Sequence, residues 1–142
     1  MAPERLTLTR TFHFSAGHRL QSAELDEAEN RELYGPCFRA HGHNYLVEVT
    51  VAGTTDPLTG MAADLDGLEA TVRRALLDLV DHRDLNGDVP VLLGTITTGE
   101  NLARAFWAML REALPGGSLR RVAVVETANN TFEYYGDGGD PA

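Results

Sequence analysis

The hydrophobic period of this chain changes twice, and the order of those changes limits what it can fold into. Leu6, Leu8, Phe12 and Phe14 alternate with Thr7, Thr9, Thr11 and His13 across residues 5–14, the two-residue repeat of a half-buried strand. Arg10 interrupts the apolar side. From His43 the alternation returns, with Tyr45, Val47, Val49 and Val51 set against Asn44, Glu48 and Thr50. This second strand pairs antiparallel with the first on the simplest reading, and Gly53 to Gly60 supply its turn. Beyond Asp64, a candidate N-cap, Leu65, Leu68, Val72, Leu76 and Leu79 recur at three and four residues and predict one face of a helix. Thr97-Thr98-Gly99-Glu100 then has the spacing of a capping box ahead of Leu102, Phe106, Met109 and Ala113, so a second amphipathic helix starts there. Pro115 and Gly116-Gly117 end it. Residues 119–127 and 131–135 read as two more strands around an Asn-Asn turn. Segments 21–39 and 81–94 read as long connections, the first with at most a helical turn, and such loops in compact domains are usually functional. The tail from Gly136 to Ala142 reads as frayed. The predicted class is α+β, in the order strand, strand, helix, helix, strand, strand.

Composition narrows the function. The 142 residues, 43% hydrophobic, fit one domain over 1–142 with a core of its own. A formal charge of −9 disfavours nucleic acid and anionic membrane surfaces as partners. All twelve basic residues are arginine, which excludes Schiff-base lysines, pyridoxal-phosphate attachment and a Walker-type loop; a codon bias explains the missing lysines equally well. MAPERLTLTR lacks a basic segment followed by an apolar run, and no apolar stretch approaches the roughly 20 residues of a membrane helix, so a cytoplasmic location is expected. Cys37 is the single cysteine. Neither an intrachain disulfide nor a cysteine-rich zinc site is available, and any metal must rest on histidines and carboxylates.

Two histidines carry the metal argument. His41 and His43 are one residue apart where a strand begins, so both imidazoles project from the same side, and Gly42 lets the backbone lie close. His18, at the end of the strand expected to pair with theirs, is the natural third ligand. Three protein ligands leave a zinc ion one position for water or substrate. His13 is expected to be an ordinary hydrogen-bonding group. The run Gly35-x5-His41-x-His43-x4-Glu48 also resembles the first metal motif of the cupins. Those barrels need a later metal histidine and an all-strand roll, whereas here only His82 comes later and two helices occupy the middle of the chain.

Five stretches occur in order: Phe14-Ser-Ala-Gly-His18, Cys37-Phe-Arg-Ala-His41-Gly-His43-Asn-Tyr45, Asp81-His82, Thr98-Gly-Glu100-Asn101 and Glu126-Thr-Ala-Asn-Asn130. Together they resemble the family of 6-pyruvoyl-tetrahydropterin and 6-carboxytetrahydropterin synthases, over nearly the whole chain. The resemblance implies the tunnelling fold, an antiparallel sheet with two helices on one face, whose subunits join sheets into a barrel as homotrimers or homohexamers with active sites at their boundaries. It implies zinc on His18, His41 and His43, a pterin triphosphate such as 7,8-dihydroneopterin triphosphate as substrate, and Cys37 as general base. Asp81 and His82 correspond to the family's partner pair, and Glu126 to the carboxylate that accepts hydrogen bonds from the pterin ring. Thr98 and Glu100 fall at a substrate-binding stretch, and Arg39, with Arg10 and Arg19, is placed to meet phosphate through forked donors. Each has a plainer reading: Cys37 as an inert small residue, Asp81-His82 as a helix end, Glu126 as a solvated charge, and Thr98 and Glu100 as caps alone.

Three residues separate Cys37 from His41. This spacing resembles the carboxy enzymes of the queuosine and deazapurine pathways, which release acetaldehyde and triphosphate; the pyruvoyl enzymes typically have five. Asn30-Arg-Glu-Leu-Tyr-Gly35 and the Glu126–Asn130 stretch look more like the pyruvoyl branch. The spacing is given the greater weight, so 6-carboxy-5,6,7,8-tetrahydropterin synthase is the expected activity, with the pyruvoyl synthase as the alternative. A non-catalytic pterin- or zinc-binding paralogue is a further one, against which Cys37, Asp81, His82 and Glu126 together argue.

Overall fold

Strand β1, Leu6–His18, and strand β2, His41–Gly53, form one antiparallel ladder that runs from the pair Leu6↔Gly53 to the pair His18↔His41. The structure is a computed structural model that describes residues 6–137. Expectations placed on residues 1–5 and on the tail from 138 lie outside the described residues.

Between the two strands, the segment read as a loop folds into helix α1, Glu27–Tyr34, with a 3₁₀ turn over Gly35–Phe38 at its end. Asp26 and Glu29 make a reciprocal capping box there. Asn30 is buried, and its amide ties Ser22, Leu25 and Asp26 to the helix. The helix has no apolar stripe, so periodicity alone missed it.

After β2 the chain enters α2, Leu65–Val72, capped by Asp64 through Gly67 N. A π turn over Arg73–Leu77 leads into the short α3, Asp78–Val80. The turn takes in one extra residue and rotates α3 about the helix axis. Leu68, Val72 and Leu76 are buried as expected, but Leu79 is 46% exposed while Leu77 and Val80 face the core in its place.

The connection 81–94 is better ordered than a loop. It contains β3, Arg83–Asp84, and a 3₁₀ turn over Pro90–Leu92, and it buries Leu85, Val89 and Leu92. Because β3 pairs parallel with β1 at Ala16 and Gly17, the sheet is mixed and not purely antiparallel. Helix α4, Gly99–Ala113, comes next. Its cap is Thr98, bonded to Asn101 N, one residue later than the Thr97-to-Glu100 spacing suggested. Strands β4, Leu119–Thr127, and β5, Asn130–Tyr134, close as a hairpin with Ala128 and Asn129 at its tip.

The sheet order is β3-β1-β2-β4-β5. Phe12, Phe14, Tyr45, Val47, Val49, Val122 and Val124 form its inner face and pack with Leu76, Leu102 and Phe106 from the helices. Phe14 meets Phe106 edge-on at 5.8 Å. Among the described residues no helix is long and apolar enough to cross a membrane.

Candidate active site

The pleat that builds the core also builds the site. Along β1 the inward positions run Phe12, Phe14, Ala16, His18, and along β2 they run His41, His43, Tyr45, Val47. Register places His18 opposite His41 and Ala16 opposite His43, so the apolar face ends in three imidazoles. Their ring centroids lie 4.6, 5.1 and 4.9 Å apart, and one ligand atom from each falls within 4.8 Å of the others. Phe14 and Tyr45, stacked at 4.7 Å, form the floor. His13 lies on the exposed side of β1, outside the cluster.

Hydrogen bonds decide which nitrogens face inward. His18 Nδ1 is 3.0 Å from the Thr97 carbonyl oxygen and 3.1 Å from its hydroxyl. His41 Nδ1 is 2.7 Å from the Arg39 carbonyl oxygen. A carbonyl can only accept, so both Nδ1 atoms carry the proton and each Nε2 keeps a lone pair. Nε2 of His43 is buried with no hydrogen-bond partner, a rare and costly condition for a polar atom. Burial, with His41 beside it, depresses the His18 pKa from 6.5 to about 4. Burial also lowers the pKa of His43, against the opposing pull of Glu126. Neutral imidazoles with free lone pairs are what a zinc ion requires, and these three residues fit one.

Thr97 is the functional residue that sequence reasoning missed. It is fully buried, and its role depends on a contact across 79 residues that no local pattern announces.

The other expected site residues are distributed around this centre. Cys37 is exposed in the Gly35–Phe38 turn, which Leu20 N ties to the end of β1 by a 2.8 Å bond to the Cys37 carbonyl. Glu126 lies on β4 on the inner-face side, where its charge acts on His43 and Tyr45. That charge, after burial, helps raise the Tyr45 pKa.

Asp81 and His82 do face each other, with Nδ1 of His82 2.9 Å from the carboxylate. They are docked on the edge of β1, where Ser15 N donates to Asp81 and His82 N donates to the Ser15 carbonyl. The Ser15 amide and His82 hold the Asp81 carboxyl below its usual range. His82 adopts φ 60, a strained backbone for a residue with a side chain, and its ring is 82% exposed. An open groove of about 500 Å³ runs past it over Ser15, Gly17, Gly42 and Asn44, with Ala16 and His43 also in its lining. By the pleat, those four residues point away from the face that carries the imidazoles. Gly17 and Gly42, paired across the two strands, contribute no side chain to that groove. One chain therefore does not bring the Asp81-His82 pair onto the histidine face.

Thr98 caps α4, and Glu100 is exposed in its first turn. Arg39 contributes its carbonyl to His41 while its side chain is exposed. Arg10 is paired with Glu69 at 3.3 Å. Arg19 packs over the Phe38 ring at 4.5 Å and lines a cavity of about 550 Å³ together with Arg31, Asn86 and Thr95.

Comparison with known proteins places this arrangement. A family model described as 6-pyruvoyl tetrahydropterin synthase matches residues 7–137. The 6-pyruvoyl tetrahydrobiopterin synthase of Homo sapiens is 42% identical over 132 residues, 92% of this chain and 91% of that protein. The solved 6-pyruvoyl tetrahydropterin synthase of Caenorhabditis elegans superposes with a TM-score of 0.90 at 38% identity, covering 96% of this chain and 99% of that one. A 6-carboxy-5,6,7,8-tetrahydropterin synthase from Aquifex aeolicus is 29% identical over 156 residues, 89% of this chain and 96% of that protein. These values overturn the expectation of a carboxy enzyme in the queuosine pathway. The spacing from Cys37 to His41 that suggested it includes the exposed pair Arg39 and Ala40 at the exit of the turn, where a length change costs little. At nearly equal coverage, 42% identity to the pyruvoyl synthase against 29% to the carboxy synthase favours the pyruvoyl branch.

Proposed function

Because the chain belongs to the 6-pyruvoyl tetrahydropterin synthase family, we propose that it is a zinc-dependent lyase acting on 7,8-dihydroneopterin triphosphate. As one domain over 1–142, it eliminates triphosphate and leaves the side chain as the 6-pyruvoyl diketone, the two electrons lost by the carbinol carbon next to the ring being taken up by the C6=N5 bond of the dihydropterin, which becomes a tetrahydropterin. The observation that carries this reading is the triad of His18, His41 and His43, neutral at His18 and His43, with an unpaired Nε2 at its centre, in a chain 42% identical to a pyruvoyl synthase.

His18, His41 and His43 would hold the zinc. When bound there, the ion supplies Lewis acidity toward the side-chain oxygens of the substrate. Glu126, on the same face as the triad, accepts hydrogen bonds from the amino and ring N–H groups of the pterin and orients its side chain. Cys37, as thiolate, takes a proton from a side-chain carbon, and the electron pair left behind expels triphosphate. Asp81 fixes the tautomer of His82 through its 2.9 Å contact, so that Nε2 of His82 is free to receive and pass on that proton. Thr98 and Glu100, at the start of α4, and Arg39 border the substrate. Of the arginines proposed for the triphosphate, Arg19 lines a cavity, whereas Arg10 is already paired with Glu69.

Since Asp81 and His82 sit off the histidine face of their own chain, a complete site takes this pair from a second copy. The reading therefore includes a homotrimer or homohexamer in which sheets join edge to edge and the groove over Gly17 and Gly42 meets a neighbour.

The test is to incubate the purified zinc-loaded protein with 7,8-dihydroneopterin triphosphate and identify the products by mass. The 6-pyruvoyl product together with free triphosphate is expected. A 6-carboxy product with acetaldehyde, or unchanged substrate, would falsify the proposal.

A further inference from the structure

Tyr45 occupies the floor of the triad, and no step of the proposed mechanism gives it a task. Its ring lies flat against Phe14, with planes 6° from parallel, and it is 1% exposed. That stack fixes where the hydroxyl points. Its hydrogen-bond contact is with Nε2 of His18 at 3.5 Å, the outer limit of such a bond. His18 carries its proton on Nδ1, toward Thr97, so its Nε2 offers only a lone pair and the phenol is the donor. The same lone pair is what His18 has for a metal, and it cannot serve both. A metal held by the triad therefore removes the phenol's acceptor and leaves a buried hydroxyl unpaired, a condition that is unfavourable until another acceptor arrives. Phe14 covers one face of the ring, and His43 stands 5.3 Å away on the triad side. Glu126 acts on Tyr45 through its charge, without a hydrogen bond between them. What the hydroxyl can reach is an oxygen brought in among the three imidazoles.

We propose that Tyr45, its hydroxyl freed from His18 Nε2 once the triad holds its metal, donates a hydrogen bond to the substrate oxygen drawn in among His18, His41 and His43. This rests on the pterin triphosphate reading of the site. As the substrate hydroxyl gives up its own proton on the way to a carbonyl, its oxygen gains negative charge. A clamped donor beside it stabilises the transition state more than the bound substrate. Removing the donor should therefore lower kcat with little change in KM.

The test is Tyr45→Phe, which keeps the ring and its stack on Phe14. Zinc affinity is measured by competition with a chromophoric chelator, and steady-state kinetics on the zinc-saturated protein. Loss of the competing bond to His18 is expected to tighten zinc binding two- to fivefold, while kcat falls at least tenfold and KM stays within threefold. A kcat within twofold of the parent overturns the proposal. So does zinc binding that is unchanged or weaker, since the hydroxyl would then not be competing for His18. Should the parent protein itself release no triphosphate, the functional reading fails; the zinc measurement still decides whether Tyr45 competes for that lone pair.

Discussion

Nδ1 of His18 lies between two atoms of a single residue, the carbonyl oxygen and the hydroxyl of Thr97, at 3.0 and 3.1 Å. Thr97 is the last residue before the cap of α4, so the start of that helix and the orientation of the imidazole are set together. The hydroxyl also lies 3.4 Å from the Arg19 carbonyl oxygen, to which it donates. Replacing Thr97 by Val removes the hydroxyl and keeps the shape and the carbonyl bond. Zinc affinity, measured by chelator competition, is expected to fall roughly tenfold, the lower end for partners of metal-bound histidines, and Thr97→Ser is expected to restore it.

Cys37 and Asp81 lie outside the triad, so they separate metal binding from turnover. Cys37→Ala and Asp81→Asn are each expected to leave zinc content at one ion per chain. Triphosphate release is expected to drop by about 10²-fold or more, the scale of a lost general base. Full activity in Cys37→Ala would remove Cys37 from the role of base.

The depressed pKa of His18 has a consequence for the metal-free protein. Its folded-state pKa is about 4 against an ordinary 6.5, so between these values the unfolded chain binds a proton that the folded one does not. Stability then rises with pH across that window and is lost as pH falls from 6.5 toward 4. The loss amounts to at most roughly 3–4 kcal/mol at one pKa unit per 1.36 kcal/mol. Urea unfolding of zinc-free protein at several pH values checks this; a midpoint that is flat over the window would contradict it.

Gly99 opens α4 directly beneath the ring of Phe132 on β5. A Cβ there would stand 2.0 Å from Cδ2 of that ring, far inside contact distance. Gly99→Ala is expected to destabilise the fold by about 1–3 kcal/mol, the usual cost of overpacking. The readout is the thermal unfolding midpoint, and no change would mean that Phe132 yields freely.

The parts of the fold that showed in the sequence are those with a strong period. β1, β2 and α4 announce themselves because one face of each is buried, so their apolar residues repeat at two or at three and four positions. The β4–β5 hairpin was legible for the same reason. α1 was not, because its stability comes from the Asp26–Glu29 capping box and the buried Asn30 amide rather than an apolar stripe. The exposure of Leu79 was also hidden, since the π turn at Arg73–Leu77 shifts the helix face without changing the composition. β3 is two residues long and held by its docking on β1, which leaves no period to detect.

By itself, then, the sequence determined the alternation that puts His41 and His43 on one side of a strand and His18 at the end of its partner, because side-chain direction in a strand is dictated by chain geometry alone. Tertiary structure decided the rest. It chose which nitrogen of His18 faces inward, because Thr97 is brought to that ring from 79 residues away. It also set the phenol of Tyr45 beneath the triad and docked Asp81 and His82 on the edge of β1. Those relationships depend on which elements meet in space, and a linear pattern carries no record of them.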